Sequence, residues 1–234
     1  MTDGADDRHR FRCPWPACGH TFHDPALAAG RVVACPSCAR AMNARPLAME
    51  RELAERERRV LHGAGDPDLV RLPLAVLADN IRSLWNVGSM FRTADACGVA
   101  MMVLAGVTGC PPRDGIAKTA LGAEAAVAWR FRADELAALR ELESEGYTPV
   151  AVENGPDGVA LPDFDWPARP CLVVGNEVRG VSPHVLDACP RRISIPMLGC
   201  KETLNVAVAF GIVVHRAAET LSGRPGPFLP ERLL

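Results

Sequence analysis

Lysine and tyrosine are among the scarcest residues of this chain. Lysine occurs twice and tyrosine once in 234 residues, so nearly all of the 26 basic side chains are arginines. The 28 acidic residues outnumber them, and the formal net charge is −2. This balance excludes a broadly basic surface for nucleic acid, and any contact with RNA must use a local patch.

Long apolar runs are absent as well. No stretch approaches the roughly 18 consecutive apolar residues that a membrane-spanning helix needs. The first residues, Met1 to Asp7, are polar and acidic, so we expect no secretory signal. A hydrophobic content of 48% excludes a disordered chain. These features predict a folded cytoplasmic protein without a membrane partner.

Four of the nine cysteines lie near the amino terminus in two close pairs. Cys13 and Cys18 enclose four residues, Cys35 and Cys38 enclose two, and sixteen residues separate the pairs. Each short pair can turn two thiolates to the same side, which is the ligand spacing of a tetrahedral zinc site. Because four thiolates leave no open coordination position, the spacing predicts a structural Zn²⁺ ion rather than a catalytic one.

Two alternatives to this ligand set remain open. The four cysteines can be free thiols, or His20 or His23 can replace one of them. A segment of this size has too small a core to fold unaided, so the metal is expected to supply folding energy. The predicted division of the chain is a zinc-ribbon-like module at residues 1–46, a charged and solvated linker helix at 47–66, a main domain at 67–223 and a tail at 224–234.

The main domain alternates strand-like and helix-like segments. Such βαβ alternation predicts an α/β fold with a mostly parallel sheet and helices on both faces. The predicted strands cover residues 73–78, 100–105, 125–131, 148–152, 171–175 and 193–197. The predicted helices cover residues 87–97, 116–121, 133–145 and 204–215, and the last of these is apolar almost all round, which is typical of a core or a subunit interface.

Two of these strands run directly into polar loops. One loop carries Asn176, Glu177 and Arg179, and the other carries Thr203 and Asn205. Ligands of α/β sheets bind at the carboxyl ends of the strands, so the two loops are predicted to form one site. The ordinary alternative is that strands ending in glycine occur in any α/β protein.

A third polar segment follows the first predicted strand and opens a helix. There we expect Asn86 to cap the helix, Gly88 to allow a close approach to its first turn, and Arg92 to lie on the same helix. The alternative is a capped helix with a surface arginine that has no role in a site.

Together the three segments resemble the SpoU (TrmH-type) family of RNA ribose 2′-O-methyltransferases, within the SPOUT class of S-adenosylmethionine-dependent enzymes. The resemblance covers about residues 72–220. It rests on the motifs Asn86-x-Gly88-x-x-x-Arg92-x-Ala94, Gly175-Asn-Glu177-x-x-Gly180, and Ile195-Pro-Met197 followed by Leu204-Asn205.

The resemblance implies a fold and a cofactor that the residue patterns alone do not indicate. It implies a trefoil knot at the carboxyl-terminal end of the sheet, formed by the second and third motifs, and a homodimer in which an arginine completes the partner's site. The implied cofactor is S-adenosyl-L-methionine, with a pocket at Gly175, Ile195, Met197, Thr203 and Leu204. The family usually has serine where this chain has Thr203, which keeps the hydroxyl but restricts its rotamer.

The resemblance also implies catalytic roles for Arg92, Asn86, Glu177 and Asn205. Arginine stays protonated in proteins and is a poor general base, so we expect Arg92 to hold a phosphate and the developing oxyanion. The other three residues are expected to position cofactor and nucleotide. The predicted activity is methyl transfer to a ribose 2′-hydroxyl of tRNA or rRNA. The alternatives are a base N-methyltransferase of the same knotted class, or an inactive RNA-binding protein with a zinc ribbon.

Overall fold

A large sheet dominates the structure, which is a computed structural model that describes residues 6–59 and 61–223. The strands are β1 (Arg10–Arg12), β2 (Thr21–His23), β3 (Val32–Ala34), β4 (Ala41–Asn43), β5 (His62–Gly63), β6 (Leu72–Asp79), β7 (Val99–Ala105), β8 (Ala128–Arg132), β9 (Thr148–Val152), β10 (Val159–Ala160), β11 (Pro170–Val174) and β12 (Arg191–Ser194). The helices are α1 (Leu47–Arg58), α2 (Leu84–Ala96), α3 (Asp114–Ala120), α4 (Ala123–Ala126), α5 (Glu135–Ser144), α6 (Pro183–Ala188) and α7 (Val206–Ser222), with short 3-10 turns at Asp6–Arg8 and Leu161–Asp163.

The large sheet has the strand order β10-β12-β9-β11-β6-β7-β8-β5. Its pairings are parallel except for that of β5 with β8. The predicted mostly parallel α/β sheet is therefore confirmed. The central position of β11 places its carboxyl end between those of β9 and β6, the arrangement in which ligand sites form.

Side chains of β6 show that helices cover both faces of this sheet. Leu74, Val76 and Ala78 point into a cluster that includes apolar residues of α2, α3 and α7. Ala75 and Leu77 point into a second cluster, which includes apolar residues of α5 and α6. Because successive side chains of a strand alternate between faces, one fully buried strand supplies both cores.

Two predicted strands have different bounds in the structure from those that the apolar pattern indicated. Residues 125–131 were expected to form one strand, but Ala123–Ala126 is a helical turn and β8 begins only at Ala128. Residues 193–197 were also expected to be a strand, but β12 ends at Ser194. The backbone N–H of Ile195 donates to the side-chain Oδ1 of Asn154 (3.0 Å), so Ile195 has left the strand ladder.

The charged helix before the main domain is not solvated all round, contrary to expectation. Leu53 of α1 is buried in the core of the main sheet. The guanidinium of Arg56 lies 3.9 Å from the ring centroid of Phe131 and donates to the carbonyl oxygen of Thr108 (2.7 Å). A sparse apolar stripe and the long stem of an arginine can cover core surface even in a charge-rich helix. After α1 the chain pairs with the main sheet through β5.

Within the described residues no helix is both long and apolar enough to cross a membrane. The trefoil knot implied by the resemblance stays a prediction. The boundaries of the four predicted parts also stay predictions, and the tail at 224–234 lies outside the described residues.

Candidate active site

The two loops predicted to share a site do line one open cavity of about 240 Å³. The cavity lies at the carboxyl ends of β9 and β11. Among the five residues predicted to bind cofactor, Gly175, Ile195, Thr203 and Leu204 contribute to its lining. Met197 is not among the lining residues, although it belongs to the same loop as Thr203.

The first wall of the cavity is a tight loop at residues 176–180. Asn176 and Gly180 exchange two backbone hydrogen bonds of 2.9 Å each. Gly180 has φ +70°, and a Cβ there would overlap the carboxylate of Glu153. A Cβ on Gly175 would overlap the backbone of Gly180. Both glycines are therefore required by the close return of the chain and not by flexibility.

A chain of hydrogen bonds joins the three polar segments beside this cavity. The amide Nδ2 of Asn86 donates to Oε1 of Glu177 (3.0 Å), and Nδ2 of Asn205 donates to Oδ1 of Asn86 (3.2 Å). Glu177 lines the cavity, whereas Asn86 and Asn205 are not among its lining residues. The structure thus brings together three of the four predicted catalytic residues, and Asn86 is 91 residues from Glu177 and 119 from Asn205 in the sequence.

Glu177 is held as a carboxylate by backbone donors. Its Oε1 accepts from the N–H of Ser83 (2.9 Å), and its Oε2 accepts from the N–H of Arg82 (3.2 Å). Partial burial alone would raise the pKa of Glu177, but these backbone donors and the amide of Asn86 outweigh it and lower the pKa below its ordinary value. The carboxylate therefore stays charged and fixed in the lining of the cavity.

The predicted cap of α2 was wrong by three residues. Ser83 is the N-cap, and its Oγ accepts from the backbone N–H of Asn86 (3.3 Å). The side chain of Asn86 is therefore free to bridge Glu177 and Asn205. Asn205 in turn caps α7, because its Oδ1 accepts from the N–H groups of Ala207 (2.9 Å) and Val208 (3.4 Å).

Gly88 allows a close approach, as predicted, but the approaching group is another helix. A Cβ at this position would overlap the carbonyl of Ile116 and the hydroxyl of Thr119, both in α3. Gly88 is thus a helix-packing residue in this structure.

Arg92 is the one predicted catalytic residue that neither lines the cavity nor joins the hydrogen-bonded chain of Glu177, Asn86 and Asn205. It is exposed on α2, and residues 6–59 and 61–223 provide it with no hydrogen-bond or ion-pair partner. The next residue, Thr93, faces Gly211 of α7. A single chain therefore does not bring this guanidinium to the cavity lining.

Two lining residues at the end of β9 were missed by sequence reasoning. The Oε2 of Glu153 accepts from the N–H of Val181 (2.9 Å), and burial raises the pKa of Glu153 despite that bond and the charge of Arg192. Asn154 accepts from Ile195 and donates from Nδ2 to the carbonyl of Glu202 (3.1 Å). Their position directly after a buried parallel strand was the signal that could have identified them.

The same signal applies to Asp79, the last residue of β6, and to Asn80, which follows it. Asp79 is fully buried and accepts from the N–H (2.6 Å) and the hydroxyl (3.0 Å) of Ser182. Asn80 has φ +59°, and its carbonyl accepts from Nδ2 of Asn176 (2.9 Å). Burial and the charge of Glu135 raise the pKa of Asp79 to about 6. These contacts fix both ends of the 176–182 loop to β6.

The four amino-terminal cysteines converge at one point between two hairpins, β1–β2 and β3–β4. Their Sγ atoms all lie within 4.8 Å of one another, with 3.7 Å between Cys13 and Cys38 and 3.8 Å between Cys18 and Cys35. A tetrahedron with Zn–S bonds of about 2.3 Å has sulfur atoms about 3.8 Å apart. The geometry thus fits zinc with four thiolates, and neither His20 nor His23 belongs to the cluster.

The comparisons with known proteins match the part of the chain that contains the cavity and its three polar segments. The model of the family described as "SpoU rRNA Methylase family" matches residues 73–215. This chain belongs to the SpoU methylase family. A tRNA (guanosine(18)-2'-O)-methyltransferase of Aquifex aeolicus is 32% identical over 146 residues, which are 62% of this chain and 68% of that protein. The match leaves the cysteine module outside.

Solved structures of the family have the same architecture. The A. aeolicus TrmH/SpoU tRNA modifying enzyme superposes with a TM-score of 0.58 at 30% identity, covering 79% of this chain and 91% of that one. The SpoU methyltransferase AviRb from Streptomyces viridochromogenes, in complex with the cofactor AdoMet, has a TM-score of 0.60 at 25% identity. That match covers 69% of this chain and 66% of AviRb.

Proposed function

We propose that this protein transfers the methyl group of S-adenosylmethionine to a ribose 2′-hydroxyl of tRNA or rRNA. The observation that carries the proposal is the hydrogen-bonded chain from Glu177 through Asn86 to Asn205. It ties the three motifs of the SpoU resemblance to one cavity. A relative named as a 2′-O-methyltransferase of tRNA supports the same reaction.

The cavity suits a cofactor with a nucleoside and a charged amino-acid end. Ile195 and Leu204 offer apolar surface, and Glu153 and Glu177 offer carboxylates to cationic groups. Gly180 keeps the space beside Glu153 open, since a Cβ there would fill it. When bound, the cofactor supplies an electrophilic methyl group, so the protein needs mainly to align the 2′-hydroxyl and stabilise its developing charge.

Arg92 would serve this reaction from a second copy of the chain. Its exposure and lack of a partner in the described residues fit a role across a homodimer interface. The face of α7 beside α2 is apolar and open, with Val208 51% and Ile212 41% exposed. Exposed apolar side chains one helical turn apart suit a subunit interface. In a dimer Arg92 would hold the phosphate next to the target ribose and the developing oxyanion.

The amino-terminal module would bind one structural Zn²⁺ ion through Cys13, Cys18, Cys35 and Cys38. The sulfur–sulfur distances support this assignment over free thiols. Four thiolate ligands leave no open coordination position, so the zinc would have no step in methyl transfer. A cytoplasmic location follows from this role in RNA modification and from the reduced state that thiolate ligands need.

Methyl transfer to total RNA from a strain that lacks this gene tests the proposal. Complete nuclease digestion and mass spectrometry of the product should place the methyl group on a ribose. A methyl group on a base would favour a base N-methyltransferase, and no transfer at all would favour an inactive RNA-binding protein.

Arg92→Ala tests the catalytic assignment. Loss of one oxyanion-stabilising donor costs roughly 100- to 1000-fold in rate, so the variant should lose that factor while its cofactor affinity is retained. Arg92→Lys should restore little, since lysine lacks the planar fork. Arg140→Ala, an exposed arginine of α5 on the other face of the sheet, is the matched control. Full activity of Arg92→Ala would contradict the assignment.

Mixed dimers test the shared site. Chains with Arg92→Ala and chains with Glu177→Ala should each be inactive alone. When mixed, they should form some sites that contain both an intact arginine and an intact cavity. If verified mixed dimers show no recovery, Arg92 does not act across the interface.

A further inference from the structure

A second cleft, of about 400 Å³, lies between the zinc-ribbon-like module and the main domain. Its module side comes from the loop before β3 and the segment that joins β4 to α1. Its main-domain side comes from the end of β6, the loop after β7 and the 176–180 loop. This volume is within the range of about 300–1,000 Å³ that is typical of ligand sites.

The polar lining of this cleft is entirely cationic or neutral. Arg45, Arg82 and Arg179 line it together with three asparagines, and none of the described residues that line it is an aspartate or glutamate. In a chain with a formal net charge of −2, this is a local concentration of positive charge. Such a concave positive site attracts anions.

Two of the three guanidiniums have no acid to neutralise them. Arg45 is paired with Glu135, which is buried beneath the cleft. Arg82 and Arg179 are exposed, and in the described part of the chain their side chains form no ion pair or hydrogen bond. The guanidinium of Arg179 packs against the module at Gly30, where a Cβ would stand 2.6 Å from Nη1. Both cations are thus placed on the cleft without an intramolecular counter-ion.

The cleft and the cofactor cavity share a wall. Asn176 and Arg179 line both of them. Arg82 lines the cleft, and its backbone N–H donates to Glu177 of the cavity. The cleft is therefore within reach of a nucleotide adjacent to one held at the cavity.

We propose that this cleft binds a nucleotide adjacent to the methylated one, with Arg82 and Arg179 contacting the phosphodiester groups that flank it. The proposal rests on the proposed function, because it assumes that RNA is the substrate. Met49 and Val107 supply apolar surface for a base, and the lining asparagines supply polar groups beside it. Splayed, single-stranded nucleotides are recognised by such combinations of apolar surface and polar groups. The module thereby forms one wall of the RNA site.

The test measures apparent KM for total RNA from a strain that lacks this gene, at saturating cofactor and several salt concentrations. Each phosphate contact to single-stranded RNA contributes about 0.7 to the slope of log affinity against log salt. Arg82→Gln should raise apparent KM at low salt and reduce this slope by about 0.7. Arg82→Lys should keep the slope, because it keeps the charge. The double variant with Arg179→Gln should reduce the slope by about 1.4.

Arg140→Gln makes the same charge change on an exposed arginine of α5, on the other face of the sheet, and should alter neither quantity. If Arg82→Gln matches this control in KM and slope while zinc content and cofactor affinity are normal, the cleft does not bind RNA phosphate. If Arg179→Gln alone leaves the salt slope unchanged and weakens cofactor binding, Arg179 acts in the cofactor cavity. That result would overturn its proposed contact with RNA phosphate. Absence of methyl transfer by the unmodified protein would instead refute the proposed function, and this inference with it.

Discussion

Replacing Arg45 with methionine tests whether a buried ion pair holds the zinc-ribbon-like module to the main domain. Arg45 follows β4 of the module, and its guanidinium is paired with the carboxylate of Glu135 at the start of α5. The two side chains are only 17% and 3% exposed. Glu135 also accepts from Nδ2 of Asn80 (2.5 Å), and Nε2 of His184 lies 3.9 Å from its other oxygen.

The expected loss of stability in Arg45→Met depends on the charge of Glu135, which stays buried without its partner. Removing one partner of a buried ion pair costs about 3–5 kcal/mol, because the other charge stays buried without compensation. Glu135 keeps its bond from Asn80, so we expect Arg45→Met to lose about 3 kcal/mol of unfolding free energy. The double variant with Glu135→Gln retains an acceptor for Asn80 and buries no charge. It should be more stable than either single variant.

The pH dependence of this loss has a definite sign. Burial alone would raise the pKa of Glu135, but the charge of Arg45 outweighs it and holds the pKa well below its ordinary range. The unmodified pair therefore contributes stability above about pH 4.3, the ordinary value, and loses it as pH falls. In Arg45→Met the largest of the influences that lower the pKa of Glu135 is removed, so the variant gains less stability than the unmodified protein as pH rises through about 4.3. The deficit of Arg45→Met should grow from acid to neutral pH.

The free energy of unfolding is measured in urea for the unmodified protein, Arg45→Met, Glu135→Gln and the double variant, at pH values where zinc stays bound. Arg192→Met is the control, because its 3.2 Å contact with Asp157 is at the surface and is expected to be worth about 0–1 kcal/mol. If the losses of Arg45→Met and Glu135→Gln add within about 0.5 kcal/mol in the double variant, the two residues are not coupled and the reasoning fails.

Two further predictions concern the metal and the cofactor loop. Freshly purified protein should contain one zinc ion per chain, and Cys35→Ser should release it and lower the thermal midpoint; zinc-free protein with freely reactive thiols would contradict this. Gly180→Ala should raise the Kd for S-adenosylmethionine about tenfold, since left-handed backbone costs a non-glycine residue about 1–2 kcal/mol and its Cβ overlaps Glu153. Gly155→Ala, where a Cβ meets nothing within 4 Å, should bind the cofactor normally, and equal affinities of the two variants would refute the role of the loop.

The local pattern of the sequence was sufficient for the scaffold. The strand predicted at 148–152 is β9 residue for residue, and the helix predicted at 133–145 is α5 with one or two residues removed at each end. Buried parallel strands and amphipathic helices carry their periodicity in neighbouring residues, so these segments need no long-range information. The polar loops after two such strands were found by the same reasoning.

Element ends were predicted less well where side chains compete with the backbone. Ser83 caps α2 in place of Asn86, and Asn154 takes the N–H of Ile195 out of the β12 ladder. Both outcomes depend on which polar groups lie near once the sheet has formed. Ser83 was within reach of sequence reasoning, as a cap residue just before the helix, but the contact of Asn154 was not.

Tertiary structure alone decided how the polar residues are used. The sequence placed Asn86, Glu177 and Asn205 at the ends of separate segments, and the order of strands in the sheet made them one hydrogen-bonded chain. The same order buried Glu135 under Arg45 and set Arg82 beside Arg179 on the second cleft. Composition and periodicity indicate which side of each segment is buried and which is exposed to solvent. Contacts across 90 or more residues depend instead on which strands become neighbours in the sheet.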